Sequence, residues 1–313
     1  MSEVFERYHA LILSKVSPGT GRSYMVAWRH RVLPYFGARQ IESITTLDVE
    51  LGFAEWSGSF STRIDALSML SAICKVAVKG GVITSNPCIG VDRPRVQQND
   101  LTARSLTLEE VDRLLTILPA AGHYRRFVLA LLYTGGRLGE IAGMRCSDVD
   151  IEDRTISIRR SASAGLHGEM VVGPTKGRRV RTVPLAEPLL PVILAARVGR
   201  QEHDLLFPGP RGGTINSKNL SRALDWFRIR DQIKTFPINE PALHWHDLRH
   251  TSAVMLFRAG VSAPDVQAIL GHSSLAVTQM YANTRADAAR RGAAALSQLY
   301  GNRQGHQTGV NSP

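Results

Sequence analysis

Cysteine is scarce in this chain: three in 313 residues, at Cys74, Cys88 and Cys146. An odd number without CxxC or metal-ligand spacing excludes a disulfide framework and a thiol-based mechanism, and predicts reduced, partly buried thiols. Aromatic residues make up only 6%, too few to suggest the stacking platform of a single-strand binder. No run approaches the roughly 18 consecutive apolar residues of a membrane span. The acidic, helix-patterned start MSEVFERYHA lacks the layout of a secretory signal. Internal repeats and low-complexity tracts are missing too. These absences predict a cytoplasmic protein with no membrane partner. Acidic residues are in deficit, 27 Asp and Glu against 38 Lys and Arg, for a net charge of +11. Such an excess favours a polyanionic partner, because each neutralised phosphate releases counterions. Arginine outnumbers lysine, and its planar fork suits phosphate. Composition alone weighs that about evenly against a basic surface of no consequence.

What is present reads as an ordinary globular chain, 43% hydrophobic and 21% charged, long enough for two domains. The first ninety-odd residues show helical periodicity only, over 2–14, 18–35, 45–56 and 60–79. In the last of these, Ile64, Leu67, Leu70, Cys74 and Ala77 recur at spacings of three and four, and Gly80 and Gly81 stop it. Asn86-Pro87, Pro94 and the polar residues after it then break the pattern. The division predicted is a helical N-terminal domain over 1–96, a linker over 97–104, a second domain over 105–300 and a disordered tail over 301–313. Thr107 and Glu110 form a capping box for a helix to Leu118, and a second apolar helix runs over 124–133. The period then changes to two: 155–161, 170–172 and 180–185 predict three short strands of one antiparallel sheet. From residue 217 onward the chain is helical again. The fold class predicted is mainly α with a small antiparallel sheet: an all-α first domain and an α+β second one.

One stretch, LHWHDLRHTSAVMLFRAGVSAPDVQAILGHSSLAVTQMYANT, concentrates the chemistry and allows three readings. His246 and His250 have the i, i+4 spacing of a metal pair, although a third ligand is not evident. The segments 264–270 and 274–281 have the lengths of a helix-turn-helix around Gly271. The third reading joins two upstream segments. TGGRLGE puts Arg137 in a glycine-loosened turn at a helix entry, and PTKGRRVRTVPL puts Lys176 on a strand connection. Cations for phosphate oxygens, proton donors and a late tyrosine make a set able to handle a phosphodiester.

Taken in order, TGGRLGE (Arg137, Glu140), TKGRRVRTVPL (Lys176), HDLRHT (His246, Arg249), LGHSS (His272) and MYANT (Tyr281) resemble the boxes of the tyrosine recombinase, or phage integrase, family. The interval of 23 from Arg249 to His272, and of 9 from His272 to Tyr281, is also the family's. The resemblance covers 104–300 firmly and the helical N-terminal part more loosely. Gly136 departs from it, since a larger apolar residue is usual before the arginine. The gap of 39 residues from Arg137 to Lys176 is longer than in compact members.

The resemblance implies a two-domain clamp on double-stranded DNA attachment sites, acting as a homotetramer without metal or nucleotide cofactor. Tyr281 would be the nucleophile, a phenol of pKa about 10 that must lose its proton as it attacks. Arg137 and Arg249 would clamp the non-bridging oxygens, and Lys176 would protonate the departing 5′-oxygen. The plainer alternative for Lys176 is a hairpin cation on phosphate. His246 would assist by proton transfer or donation, and His272 by donation or by architecture alone. Glu140, Asp247 and His250 would orient these groups without touching substrate. Arg22, Arg29 and Arg31 on the N-terminal helices, with Arg178, Arg179 and Arg181, are candidates for DNA contacts. The alanine-rich segment 286–299 is a candidate to dock on a neighbouring subunit, and an accessory DNA-bending or directionality factor is a further expected partner. Only about twenty residues precede the core-binding helices, which predicts no separate arm-binding domain. Integration or excision of a phage or mobile element is the expected role. The alternatives are a Xer-like dimer resolvase, a non-catalytic DNA-binding regulator of the same fold and, third, a metal-dependent nuclease.

Overall fold

The computed structural model describes residues 1–93, 101–165, 168–175, 180–237, 240–272, 274 and 278. The chain divides into two compact units, one joining Met1–Gln98 with Arg160–Lys176 and the other joining Asn99–Arg159 with Gly177–Pro313.

The first unit is helical except for one hairpin. Helix α1 (Ser2–Ser14) is followed by α2 (Pro18–Ala27), which begins where Ser17 accepts from the Thr20 backbone and Pro18 takes the first turn. The chain widens into a π-helical turn at Trp28–Val32 before α3 (Leu33–Phe36). Pro34 has no N–H to return to the preceding turn, which accounts for the loosened ladder there. Thr45 and Asp48 close a capping box on α4 (Thr46–Glu55), and Ser59 caps α5 (Phe60–Lys79). Helix α5 is the axis of the unit, with Leu67, Leu70, Ile73, Cys74 and Ala77 fully or almost fully buried on it. Phe5 stacks on Trp28 at 3.9 Å, while Phe36 and Phe53 meet Trp56 edge-on.

The second unit opens with α6 (Leu101–Arg104), α7 (Leu108–Ile117), α8 (His123–Thr134) and α9 (Leu138–Ala142). Thr107 and Glu110 form the box that starts α7. Strands β1 (Val149–Asp150) and β2 (Thr155–Ile158) then begin the sheet. Strands β3 (Arg160–Ala164) and β4 (Met170–Pro174) belong to the first unit, and β5 (Arg181–Pro184) returns to the second. Helices α10 (Leu190–Arg197), α11 (Ser217–Ala223), α12 (Trp226–Ile233), α13 (Asp247–Arg258) and α14 (Ala263–Leu270) complete the described part.

Two features differ from the sequence reading. The three predicted strands do not form one sheet. β2 pairs with β1 and β5 in a three-stranded antiparallel sheet, whereas β4 pairs with β3 in a separate hairpin, Arg160 opposite Pro174 and Ala164 opposite Met170. Alternation along a strand sets which face is buried but says nothing about its partner. The hairpin lies against α2, where an added Cβ on Gly19 would sit 4.0 Å from the Ala164 carbonyl oxygen. Secondly, residues 101–104, assigned to the linker, form the short α6, and Arg104 at its end is buried. The cysteines Cys74, Cys88 and Cys146 are free and buried. Among the described residues no helix is long and apolar enough to cross a membrane.

Helix α13 is enclosed on nearly every side. Asp247, Leu248, Arg249, His250, Thr251, Ser252, Ala253, Val254 and Phe257 are all buried along it. A helix buried all round would ordinarily be apolar. The polar residues here are tolerated because each has partners; Ser252 Oγ, for example, donates to the Leu132 carbonyl of α8. That burial brings charged side chains into the protein interior.

Candidate active site

The site is assembled around the C-terminal end of α14. A helix end leaves carbonyls without intrahelical partners and carries partial negative charge. Three successive carbonyls here each accept from a different arginine. Ile269 accepts from Arg181 Nε at 2.9 Å, Leu270 from Arg249 Nη2 at 2.6 Å, and Gly271 from Arg137 Nη2 at 3.2 Å. These arginines come from β5, α13 and the entry to α9, elements far apart in sequence.

Arg137 owes its place to local chain geometry. Helix α8 ends at Gly135, whose φ of +62° suits glycine, and Thr134 Oγ1 accepts from the Gly136 N–H. A Cβ at Gly135 would meet Leu270 Cδ2 at 2.6 Å, so the turn also has no room for a side chain. At Gly136 an added Cβ would meet Ile141 Cδ1 at 2.6 Å. Ile141 therefore fills the space that a larger residue before the arginine would occupy. Arg137 caps α9: its backbone N–H donates to Glu140 Oε2 at 2.8 Å and its Nη1 to Glu140 Oε1 at 2.9 Å.

Glu140 is 2% exposed and holds a second arginine. Arg181 donates Nη1 to Oε1 at 2.9 Å and Nη2 to Oε2 at 2.6 Å, a bidentate pair. Burial on its own would raise the Glu140 carboxyl, but hydrogen bonding and charge from Arg181, then Arg137, outweigh it and bring the pKa down to about 2. Arg181, a candidate for DNA contact, is thus committed to Glu140 and the Ile269 carbonyl, with its side chain 10% exposed. Arg249 is still more enclosed, at 3%, and its Nη1 donates to the Gly135 carbonyl at 2.8 Å. Arg137 is the open member, with its side chain 36% exposed.

Gly271 sits where these contacts converge, with φ +67° and space for a Cβ only 2.8 Å from Arg181 Cδ. Both the left-handed backbone and the close approach require glycine. Gly271→Ala is expected to lower stability by about 1–3 kcal/mol; an unchanged urea midpoint would refute this account of the turn.

The histidines complete the arrangement. His246 precedes α13, and its ring meets His250 edge-on with centroids 4.9 Å apart. Burial first, then Arg249, lowers the pKa of His246. Burial and His246 push His250 down to about 4. His272 is likewise lowered to about 4, by burial and then by Arg249 and Arg137, and its Nδ1 lies 2.9 Å from Thr278 Oγ1. His250 and His272 are therefore neutral at pH 7. Which of the two atoms donates in that bond follows the tautomer of the His272 ring. Among the described residues no three His, Cys, Asp or Glu are grouped to hold a metal ion.

Two guanidiniums, Arg137 and Arg181, share the Glu140 carboxylate at this site, and Arg249 brings a third cation to the same helix end beside the imidazoles. Such a pocket suits a tetrahedral anion whose charge grows during reaction. Tyr281, Lys176, Arg178 and Arg179 lie outside the described residues, as do the docking segment 286–299, the tail 301–313 and most of the second helix of the helix-turn-helix reading. In the first unit Arg29 is exposed, while Arg31 donates Nε to the Ser57 carbonyl at 2.8 Å. Arg22 and Arg31 line one side of a small concavity with Thr62 and Asp65. One residue passed over in the sequence, Arg104, holds Asp247 in place, and Arg181, named there as a candidate DNA contact, holds Glu140. The only signal for Arg104 was its position just before the capping box.

Comparison with known proteins agrees with this architecture. Residues 104–287 match the model of the phage integrase family, and residues 1–51 match the phage integrase N-terminal SAM-like domain. The chain therefore belongs to the phage integrase family, whose members are tyrosine recombinases. The putative prophage phiRv2 integrase of Mycobacterium tuberculosis is 26% identical over 279 residues, covering 88% of this chain and 72% of that one. Tyrosine recombinase XerC of Yersinia pestis is 25% identical over 304 residues, covering 89% and 88%. Among solved structures, the Tn1549 transposon integrase in complex with transposon right end DNA matches with a TM-score of 0.71 at 21% identity, covering 95% of this chain and all of that one. A lambda integrase dimer bound to a COC′ core site matches with a TM-score of 0.64 at 20% identity, covering 91% and 96%. The two structural likenesses establish the fold.

Proposed function

We propose that this chain cuts and rejoins duplex DNA at a specific site through a 3′-phosphotyrosyl intermediate on Tyr281, in the service of integration and excision of a phage or mobile element. The Tyr281 phenol oxygen attacks the scissile phosphorus and gives up its proton, with His246 assisting. The bond from phosphorus to the 5′-oxygen breaks, and Lys176 protonates the departing oxygen. A 5′-hydroxyl from the partner strand then attacks the phosphotyrosyl bond and restores the tyrosine, so phosphodiester energy is conserved and no nucleotide is consumed. Arg137 and Arg249 bind the non-bridging oxygens, and His272 donates to the same phosphate. Glu140, Asp247 and His250 orient these groups. Duplex attachment sites are the substrate, and four copies exchange strands through a Holliday junction, as the lambda integrase tetramer bound to such a junction suggests. The protein works in the cytoplasm on nucleoid DNA, with or without an accessory bending or directionality factor.

Arg22, Arg29 and Arg31 of the N-terminal domain (1–96) and Arg178 and Arg179 near the hairpin make phosphate contacts in this reading. The linker (97–104) joins that domain to the recombinase domain (105–300), which is followed by the tail (301–313). One observation carries the reading most: Arg137 and Arg249, 112 residues apart in sequence, bind adjacent carbonyls at the end of α14 beside His272. A Xer-like resolvase is the second reading, favoured by the match to XerC over 88% of its length. Resolution of plasmid dimers, without insertion of a circular attachment-site plasmid, would select it.

The direct test incubates the protein in excess EDTA with a nicked suicide duplex carrying the DNA that flanks its gene. Wild type is expected to form an SDS-resistant protein–DNA adduct, and Tyr281→Phe none. An adduct from both proteins would reject Tyr281 as nucleophile; tight, specific binding with no adduct from either would favour the regulator.

A further inference from the structure

Arg104 closes α6, the first helix after the linker, and its side chain is 7% exposed. All three of its guanidinium nitrogens are engaged inside the second unit. Nε donates to Asp247 Oδ1 at 3.2 Å and Nη2 to Asp247 Oδ2. Nη2 also donates to the Ala242 carbonyl at 2.9 Å, and Nη1 to the Pro241 carbonyl. The plane lies over the Phe236 ring, 4.2 Å from its centroid. Asp247 Oδ2 in turn accepts from the His244 N–H at 2.7 Å, closing the turn into α13. One helical turn further on, Thr251 Oγ1 accepts from the Leu106 N–H at 2.9 Å. Lys234 Nζ adds a third stitch, to the Ser105 carbonyl at 2.7 Å. Arg104 and Leu106 are thus sewn to the face of α13 that carries Asp247 and Thr251, and Ser105 to the end of α12.

We propose that Arg104 is a positioning residue for strand cleavage, holding the first turn of α13, and with it His246 and Arg249, through Asp247. The proposal rests on the recombinase reading above. A buried ion pair is a poor device for stability alone, because desolvation cancels most of its attraction and apolar residues of equal volume do as well. A bidentate guanidinium does fix the position and orientation of a carboxylate. Asp247 follows His246 directly and stands two residues before Arg249, so any tilt of this carboxylate moves both. Arg104 has no role on the DNA, since its nitrogens face inward. It also places the exit of the linker on the helix that carries two of the site's groups.

The test compares Arg104→Met, Arg104→Lys, Asp247→Asn and the Arg104→Met/Asp247→Asn pair with wild type. The assays are DNA affinity by mobility shift, adduct rate on the nicked duplex, and titration of His250 by NMR in the DNA-free protein. Arg104→Met is expected to bind DNA nearly as wild type and to cleave about tenfold to a hundredfold more slowly, as sub-ångström to ångström misplacement of reacting groups predicts. His250 faces His246 at the cap of α13, Asp247 and Arg249 of α13 and Arg104 of α6, and it lies near His272. Loss of the Arg104 cation, which depresses it, with Asp247 left unneutralised, is expected to raise its titration midpoint. Adding Asp247→Asn is expected to reverse that rise, and Arg104→Lys to fall between wild type and Arg104→Met in rate. Wild-type cleavage by Arg104→Met, or equal losses of binding and cleavage with His250 unmoved, would overturn the proposal. Should Arg104→Met fail to fold, Arg104→Lys is judged by the same two criteria. An absent wild-type adduct would count against the recombinase reading alone, and the His250 titration would then decide for or against Arg104.

Discussion

Arg249→Lys is expected to bind its DNA site almost as tightly as the wild type and to form the covalent adduct about a thousandfold more slowly, the scale on which a transition-state arginine contributes to phosphoryl transfer. Arg249 is buried, and its two terminal nitrogens reach in different directions, to the Gly135 carbonyl at 2.8 Å and the Leu270 carbonyl at 2.6 Å. Those bonds fix the plane of the guanidinium between the end of α8 and the end of α14. A lysine keeps the charge, and so most of the attraction for phosphate, but offers a single point donor on a flexible stem. It cannot satisfy two diverging carbonyls and also present a directed N–H to a non-bridging oxygen. Adduct kinetics on the nicked duplex, with affinity measured in parallel, separate the two effects. A lysine variant that cleaves at the wild-type rate would remove Arg249 from the machinery. A urea melt of the same variant shows whether a lost adduct reflects lost fold.

Glu140→Gln is expected to destabilise the recombinase unit by about 3 kcal/mol at neutral pH, in line with a carboxylate whose pKa is pulled from 4.5 to about 2 by folding. The buried carboxylate carries two guanidiniums, Arg181 on both oxygens and Arg137 on one. An amide supplies one acceptor and no charge, so two cations are left facing each other in an enclosed space. Because the folded pKa lies below the unfolded value, the Glu140 contribution is complete above about pH 4.5. It drains away as the pH falls toward 2, and is gone only below that, where both states hold the proton. Urea midpoints of wild type and Glu140→Gln are therefore expected to differ most at pH 7 and to converge as the pH approaches 2. A gap of constant size across that range would show that Glu140 acts by shape and not by charge. The same variant is expected to lose cleavage, because Arg137 loses the partner that aims it.

Much of the site could be read from the chain because several of its segments depend on short-range rules. The glycines of TGGRLGE mark a helix end followed at once by a helix start, and Glu140 lies three residues after Arg137, where a side chain returns to the backbone N–H of the cap. Gly271 marks the left-handed end of α14. The apolar spacing on α5 identified its buried face. The partners of Arg181 were not legible for a physical reason: next to Arg178 and Arg179 it looks like one of a run of exposed cations, and alternation along β5 does not reveal that a buried carboxylate 41 residues earlier awaits it. Arg104 lies 143 residues from Asp247, and no local pattern connects them.

The sequence by itself determined the elements and the chemistry on offer: helical periods, caps, a basic balance, and an ordered set of arginine, lysine, histidine and tyrosine boxes. Only the tertiary structure decided which partners each cation meets and how far each is enclosed. Arg137 keeps part of its surface open, Arg249 is oriented by two carbonyls, and Arg181 and Arg104 are consumed by Glu140 and Asp247. It also decided which strands pair, placing β3 with β4 and β2 with β5. The reason is the same in each case. Helix periods and caps are satisfied within a few residues, whereas a buried charge or a strand edge must be satisfied by whatever the fold brings to it, however distant along the chain.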